Sequence, residues 1–308
     1  MELIVSILAL VEGQVLIVQT SLIGSILSNL LLVLGMCFFF GGINRVEQFF
    51  NVTVAQTAAS LLALAIGSLI IPTSFHLWAT GDQKAKDDEV TALSRGVSVL
   101  LLIVYGAYLF FQLKTHTDMY NEPSKKVGKR RTRVKKGDVS KVMAQGGANM
   151  SAASGGEVTQ ENPMQRDDDD KDKPQLSIWV AIITLGLSTA LVAVCAKFMV
   201  NSINALTEGP HGISKTFVGL ILLPIVGNAA EHATAVTVAC KDKMDLAIGV
   251  AVGSSLQIAL FVLPFIVIVG WFMGNSAMNL SFDGFQVAVL FVAVLLGMSL
   301  PTGSHCTH

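Results

Sequence analysis

Charge is what this sequence has least of: 14% of its 308 residues are Asp, Glu, Lys or Arg, against about 25% in an ordinary globular domain. A net charge of −1 provides no general basic face to neutralise phosphates, which excludes nucleic acid as a partner. The four cysteines, Cys37, Cys195, Cys240 and Cys306, are far apart and form no C-x-x-C pair. Neither a thiolate zinc site nor a disulfide framework is therefore expected, and the cysteines read as small apolar packing residues. There is no H-E-x-x-H, since Glu231 precedes His232 and no second histidine follows at that spacing, which removes the metalloprotease class. The expectation is a protein that is not an enzyme and holds no cofactor. A secretory signal of the charged, short-apolar, small-residue type is missing as well.

What fills the chain instead is apolar: 52% hydrophobic residues together with 27 glycines. A helix needs about 20 apolar residues to cross the core of a bilayer. The stretches that serve are Val15 to Phe40, Val54 to Ile71, Val97 to Leu113, Leu176 to Val200, Phe217 to Cys240, Leu246 to Met273 and Phe285 to Leu300. A shorter run, Leu3 to Val11, covers under half of the hydrocarbon at about 1.5 Å per residue, and reads as a helix cut at its front. The polar tail from Pro301 to His308 reads as a cut at the other end. The fold class expected is all-α, a polytopic membrane protein incomplete at both ends.

Of the 43 charged residues, 23 lie between Lys114 and Pro174. That divides the chain into a first membrane half over 1–113, a linker over 114–174 and a second membrane half over 175–308. The linker holds a basic cluster, Lys125 to Lys136, and an acidic run, Asp167 to Asp172, with Gly, Ser, Gln and Asn between them. Such a composition buries too little apolar area to offset ordering, so the linker is expected to be disordered. Lys and Arg beside spans are retained in the cytosol, which puts the linker there. Counting spans from it places Lys241, Lys243 and the sequons at Asn51 and Asn149 on the same side, and the Lys84–Lys86 loop on the other. Lys197 reads as a lysine snorkelling from a helix end.

Sliding the chain along itself gives one informative offset, 229 residues, which lays Glu2 on Glu231, Gly24 on Gly253 and Ser25 on Ser254 without a gap, and Ser28 on Gln257. A duplicated helix pair explains this. Four spans separate the copies, and direction reverses at every span, so the repeat is inverted. Inverted repeats are a recurring transporter architecture, with the substrate site at the midplane where interrupted helices meet. Pro224, Gly227 and Pro264 supply the interruptions.

Glu231 stands well inside a span, where a carboxylate costs about 2.5 to 3.5 kcal/mol on insertion scales. A bound cation is the favoured compensation. In a continuous helix Gly227, Asn228, Glu231, Thr234 and Ala235 share one stripe, and Gly249, Gly253 and Gln257 form a small-residue face that lets another helix come close. The candidate ligands of a hard divalent cation are Glu2 and Glu231 as carboxylates, with Asn228, Ser25, Ser254 and Gln257, and also Ser28, as neutral oxygen donors. Calcium takes 6 to 8 such oxygens, while soft metals want Cys or paired His. Two carboxylates facing one another in low dielectric repel, so the empty site holds at least one proton. Protons and metal then compete for the same oxygens, which is the physical basis of an exchanger.

The run Pro224-Ile-Val-Gly-Asn-Ala-Ala-Glu-His232 with Gly253-Ser-Ser-Leu-Gln257 closely resembles the second repeat of the cation/proton exchangers of the calcium/cation antiporter superfamily. Glu2-Leu-Ile-Val with Gly24-Ser-Ile-Leu-Ser-Asn29 resembles the first, and the wording is most similar to fungal vacuolar calcium/proton exchangers. The resemblance implies an inverted-repeat antiporter fold and Glu2 and Glu231 as the paired carboxylates. It implies calcium (with manganese undistinguished) and protons as the ions carried, and a multi-pass location in the vacuolar membrane. The bilayer is then the main partner, and a homo-oligomer is compatible. Against that pattern the chain departs at the two spans and the Gly-Asn-Ala expected before Glu2, and at the last span. Two other classes stay open on the sequence: a non-transporting fragment that associates with an intact exchanger, and a divalent-cation channel.

Overall fold

The computed structural model describes residues 2–43, 45, 48–79, 83–116, 177–207 and 212–299. Most of the 114–174 linker, with its basic and acidic runs and Asn149, lies outside them, as do Cys306 and the tail from Pro301 to His308. Two compact units are distinguished, Met1–Lys129 with Thr189–His308, and Arg130–Ser188. In the second, the described part is the opening of one helix.

The described residues are helical between short turns. In order they form α1 (Glu2–Val11), α2 (Val15–Gly42), α3 (Val52–Trp78), α4 (Gln83–Phe110, carried on by a wide turn Phe111–Thr115) and α5 (Ile178–Thr207). There follow α6 (Lys215–Gly227), α7 (Ala229–Cys240), α8 (Met244–Phe272) and α9 (Gly284–Ser299). Helices α2, α3, α4, α5 and α8 are long and apolar enough to cross a membrane, and α6 with α7 forms an apolar pair bent by 54°, the geometry of a broken span or a re-entrant loop. Each expected apolar run is thus helical where it is described, several helices being longer than the run itself, and the run Phe217 to Cys240 is broken at Asn228 into α6 and α7. The Lys84–Lys86 segment, read as loop, is the first turn of α4. Lys197 is exposed ten residues before α5 ends at Thr207, on the wall of a cavity shared with Ile4, Ile7 and Leu8 of α1, and so is not at a helix end. Cys37 is buried as expected, whereas Cys195 and Cys240 are exposed.

The repeat is visible in the backbone, atom by atom. The turn after α1 is closed by Glu12 N to Leu8 O, Gly13 N to Leu10 O and Gln14 N to Ala9 O, at 3.1, 3.0 and 2.8 Å. The turn after α7 is closed by Lys241 N to Thr237 O, Asp242 N to Ala239 O and Lys243 N to Val238 O, at 3.2, 3.1 and 3.1 Å. Every one of those atoms is displaced by the same 229 positions. The left-handed residue of the first turn is Gly13, φ +71°, and that of the second is Asp242, φ +62°. A side-chain-free residue takes this conformation at no cost, and aspartate is among the few others that tolerate it. A π turn then interrupts each following helix at matching places, Ser28–Val33 in α2 and Ile258–Val262 in α8. Since α2 has no proline there, the wide turn belongs to the repeat and not to Pro264. The interruption expected near Pro264 is thus this π turn, which ends two residues before the proline, and the span is not bent apart there.

The copies run in opposite senses. Gln19, near the start of α2, donates to the Asn279 carbonyl in the α8–α9 connection at 3.0 Å, so α2 begins where α8 ends. At the other end of the bundle, Gln48 from the α2–α3 connection donates to Ala239 O at 3.4 Å, and Arg45 pairs with Asp242 at 3.1 Å. There α2 ends where α8 begins. The core between is apolar and closed, with Ile17, Val18, Leu22, Ile23 and Ile26 of α2 at most 1% exposed, and Leu256, Leu260, Leu263 and Ile266 of α8 fully buried. The α8–α9 connection is held by side-chain hydroxyls: Thr73 Oγ1 accepts from Phe282 N (3.2 Å), and Ser94 Oγ accepts from Leu280 N (3.1 Å).

Candidate functional site

Helix α6 lies on the small-residue face of α2. A Cβ at Gly24 would collide with the Leu220 carbonyl oxygen and meet the Pro224 ring, and one at Gly219 would strike Thr20. This close approach brings the α6–α7 break to the first turn of α1. Pro224 cannot donate a hydrogen bond, but its carbonyl still accepts from Asn228 N at 3.0 Å. At Asn228 (φ −102°, ψ 9°) the chain leaves helical geometry before α7 begins.

Glu2 meets that break. Ser25 Oγ donates to Glu2 Oε1 at 2.7 Å, and a Cβ on Gly227 would stand 3.4 Å from the same oxygen. Asn228, 2% exposed, lies beside the Glu2 carboxyl, while its Nδ2 finds no hydrogen-bond partner among the described residues. Glu231 follows three residues later, in the first turn of α7. It is solvent- or lipid-facing in this arrangement. Glu2, Ser25 and the Gly227–Asn228 break are therefore brought together from α1, α2 and the α6–α7 junction, with Glu231 on the exposed face of α7 just beyond.

Two expected ligands are placed differently. Ser254 Oγ donates to its own helix at Ala251 O (3.2 Å) instead of reaching a carboxylate, although Ser25, its counterpart, does reach one. Gln257 is exposed on the wall of a cavity of about 550 Å³ shared with Asn51, Tyr105, Gln112 and Asp245. Gly249 and Gly253 line that cavity too, and a Cβ on either would meet nothing within 4 Å. The face expected to receive a closely packed helix is open among the described residues. The stripe of Gly227, Asn228, Glu231, Thr234 and Ala235 is also corrected. The 54° bend removes Gly227 and Asn228 from the helix of Glu231, and Ala235 is buried while Thr234 is exposed.

Polar groups that sequence reasoning passed over lie one turn from the site residues. Asn29, four positions beyond Ser25, is 1% exposed with Nδ2 unpartnered, and Ser6, four beyond Glu2, is buried with Oγ unpartnered, in both cases among the described residues. The i, i+4 spacing was the available signal. Ser28 Oγ and His232 Nε2 stand 3.4 Å apart and link the two copies directly. Buried polar atoms without partners are uncommon and call for an explanation such as a ligand. No group of three or more His, Cys, Asp or Glu is placed to hold a metal among the described residues. The arrangement is two carboxylates with neutral oxygens.

Comparison with known proteins matches residues 1–114 and 180–305 to the family described as sodium/calcium exchanger protein. The chain belongs to that family. This sodium/calcium exchanger family member is 43% identical over 296 residues to the "Vacuolar calcium ion transporter" of Schizosaccharomyces pombe, covering 96% of this chain and 61% of that protein. It is 40% identical to "Vacuolar cation/proton exchanger 5" of Arabidopsis thaliana, over 96% of this chain and 59% of the relative. With the "Ca(2+)/H(+) antiporter" of Aphanothece halophytica the identity is 37%, over 97% and 71%. Among solved structures, native YfkE matches with a TM-score of 0.70 at 32% identity, covering 98% of this chain and 72% of that one. The exchanger family member thus spans about three fifths of the length of the vacuolar relatives, and its all-helical, inverted-repeat antiporter fold is shared with YfkE.

Proposed function

We propose that this chain is a secondary transporter that moves Ca²⁺ across a vacuolar membrane in exchange for H⁺, by alternating access to one site. The observation that carries the reading is Glu2 of one copy, bonded by Ser25 and facing Gly227 at the break between α6 and α7 of the oppositely threaded copy, where α7 opens with Glu231 in its first turn. Two carboxylates in apolar surroundings tolerate being empty only if protonated. A divalent ion delivers two positive charges to the same oxygens, so protons and metal exclude one another. Ser25 Oγ, already donating to Glu2, turns its lone pairs to an ion when the carboxylate does. Asn228, buried at the break, offers its Oδ1 as the neutral donor from the opposing copy, its Nδ2 being a hydrogen-bond donor that cannot bind a cation. Ser254 and Gln257 remain proposed ligands that must rotate or be carried inward.

Several neutral oxygens and two charges suit a hard cation, and a site with few charges releases its cargo readily. The linker side is assigned to the cytosol by its basic cluster, so calcium enters from that side and protons from the vacuole. The relatives named vacuolar and the antiporters named for Ca²⁺ and H⁺ support the same assignment. The three-part division into membrane halves over 1–113 and 175–308 around a linker is proposed with it.

The test is calcium uptake by vesicles containing the chain. Uptake driven by an acid interior, and stopped when a protonophore dissipates the gradient, is expected. Uptake indifferent to the gradient indicates a channel.

A further inference from the structure

At the end of the bundle assigned to the cytosol, the connection between α2 and α3 grips the turn between α7 and α8. Arg45 Nη1 lies 3.1 Å from Asp242 Oδ2, and both side chains are 8% exposed. Gln48 Nε2 donates to Ala239 O, Asn51 N donates to Asp245 Oδ1, and Cys240 Sγ approaches Phe40 O at 3.7 Å. Gly41 leaves room for this, since a Cβ there would stand 2.9 Å from Gln48 Oε1. Beneath the polar contacts, Val33, Leu34 and Cys37 of α2 share a core with Ala235 and Ala239 of α7 and Met244 of α8.

The internal repeat supplies a control within the molecule. The first-copy turn has the same three hydrogen bonds and the same left-handed residue, and there that residue is Gly13. Backbone geometry alone is therefore met by glycine, and the aspartate at the second-copy position needs another reason. Its partner Arg45 is that reason. Helix α7 is bounded by the bend at Asn228 on one side and by this turn on the other, and between them Ala229, Ala230, Glu231, Ala233, Thr234 and Thr237 are exposed. The opposite face, His232, Ala235 and Ala239, is buried, so the helix is free to tilt about one packed face and its two ends fix that tilt. Glu231 lies eight residues from Ala239, about 12 Å along a rigid rod.

We propose that Arg45 is a positioning residue for Glu231: through the buried pair with Asp242 it clamps the far end of α7 and so sets where the Glu231 carboxylate stands. This rests on the site reading above, because it matters for transport only if Glu231 takes the ion.

The experiment compares Arg45→Ala, Arg45→Lys, Asp242→Gly, Asp242→Asn and the double variant Arg45→Ala with Asp242→Gly, all in the whole chain in membranes. Two readouts are taken: the rate at which a hydrophobic carbodiimide modifies Glu231, and the KM and maximal rate of proton-driven calcium uptake. Single loss of either partner is expected to change the labelling rate and raise KM by about threefold to tenfold, with a smaller effect on maximal rate. The double variant is expected to be no worse than the singles, because the two residues act as one unit, and Arg45→Lys to recover part of the loss. Since Asp242→Gly keeps a residue suited to φ +62°, failure to fold is not expected to mask its result. Glu231 labelling that is the same in Asp242→Gly as in the unmodified chain overturns the clamp, as does simple additivity of the two losses. Altered labelling without any calcium uptake in the unmodified chain keeps the clamp and overturns the transport reading instead.

Discussion

A glutamate in a membrane helix is an expense that only a function offsets, and the two here differ in how they are held. Glu2 has a hydroxyl donor, a glycine that leaves space and a buried amide beside it. Glu231 stands on the exposed face of α7. Replacing Glu231 by Gln removes a formal charge at almost constant volume. Proton-driven calcium uptake is expected to fall by about tenfold or more, the effect of losing at least 1.4 kcal/mol of ion binding, with the amount of protein in the membrane unchanged. Vesicle uptake normalised to immunoblotted protein measures it, and near-normal uptake removes Glu231 from the site. Identity of the carboxylates was legible in the sequence, because acidic residues in apolar runs are conspicuous. The unpaired state of Asn228 and the inward placing of Asn29 and Ser6 were not, because burial depends on which helix faces them.

At the scale of elements, the same motif does opposite things in the two copies. Gly24 is pressed against the Leu220 carbonyl and Pro224, while its counterpart Gly253 faces an open cavity. Gly24→Ala is expected to destabilise the protein by about 1 to 3 kcal/mol through overpacking. Gly253→Ala is expected to be neutral or stabilising by up to about 1 kcal/mol through helix propensity. Thermal unfolding in detergent separates them, and equal shifts for both would show that the α2–α6 contact is not tight. The 229-residue offset was readable from a handful of polar and small residues, yet the stripe built on a continuous helix failed, and the interruption near Pro264 took a form that residue type does not give. The bend at Asn228 redirects one stripe, and the π turn at Ile258–Val262 lets α8 pass its proline. Both are backbone departures of a few residues that a fixed helical period does not encode.

Over the whole molecule, two opposed copies are fastened at both ends of the bundle by different chemistry: hydroxyl and amide contacts to the α8–α9 connection at one, a buried ion pair at the other. The charged linker lies apart from that framework in sequence. Deleting Gly146 to Gly156 is expected to change calcium uptake by less than about twofold, since a polar, glycine-rich tether tolerates changes of length at small entropic cost. Complete loss of uptake in that deletion would make the segment structural. Read by itself, the sequence determined that this is a helical membrane protein with an inverted repeat and a glutamate at the matching place in each copy, because hydropathy, span parity and a gap-free repeat are properties of residue order. Which donors reach those carboxylates, that Ser254 turns to its own helix while Ser25 does not, and that Arg45 finds Asp242 were decided by tertiary packing alone. Those outcomes depend on distances between residues up to some two hundred positions apart, and only the packed helices set them.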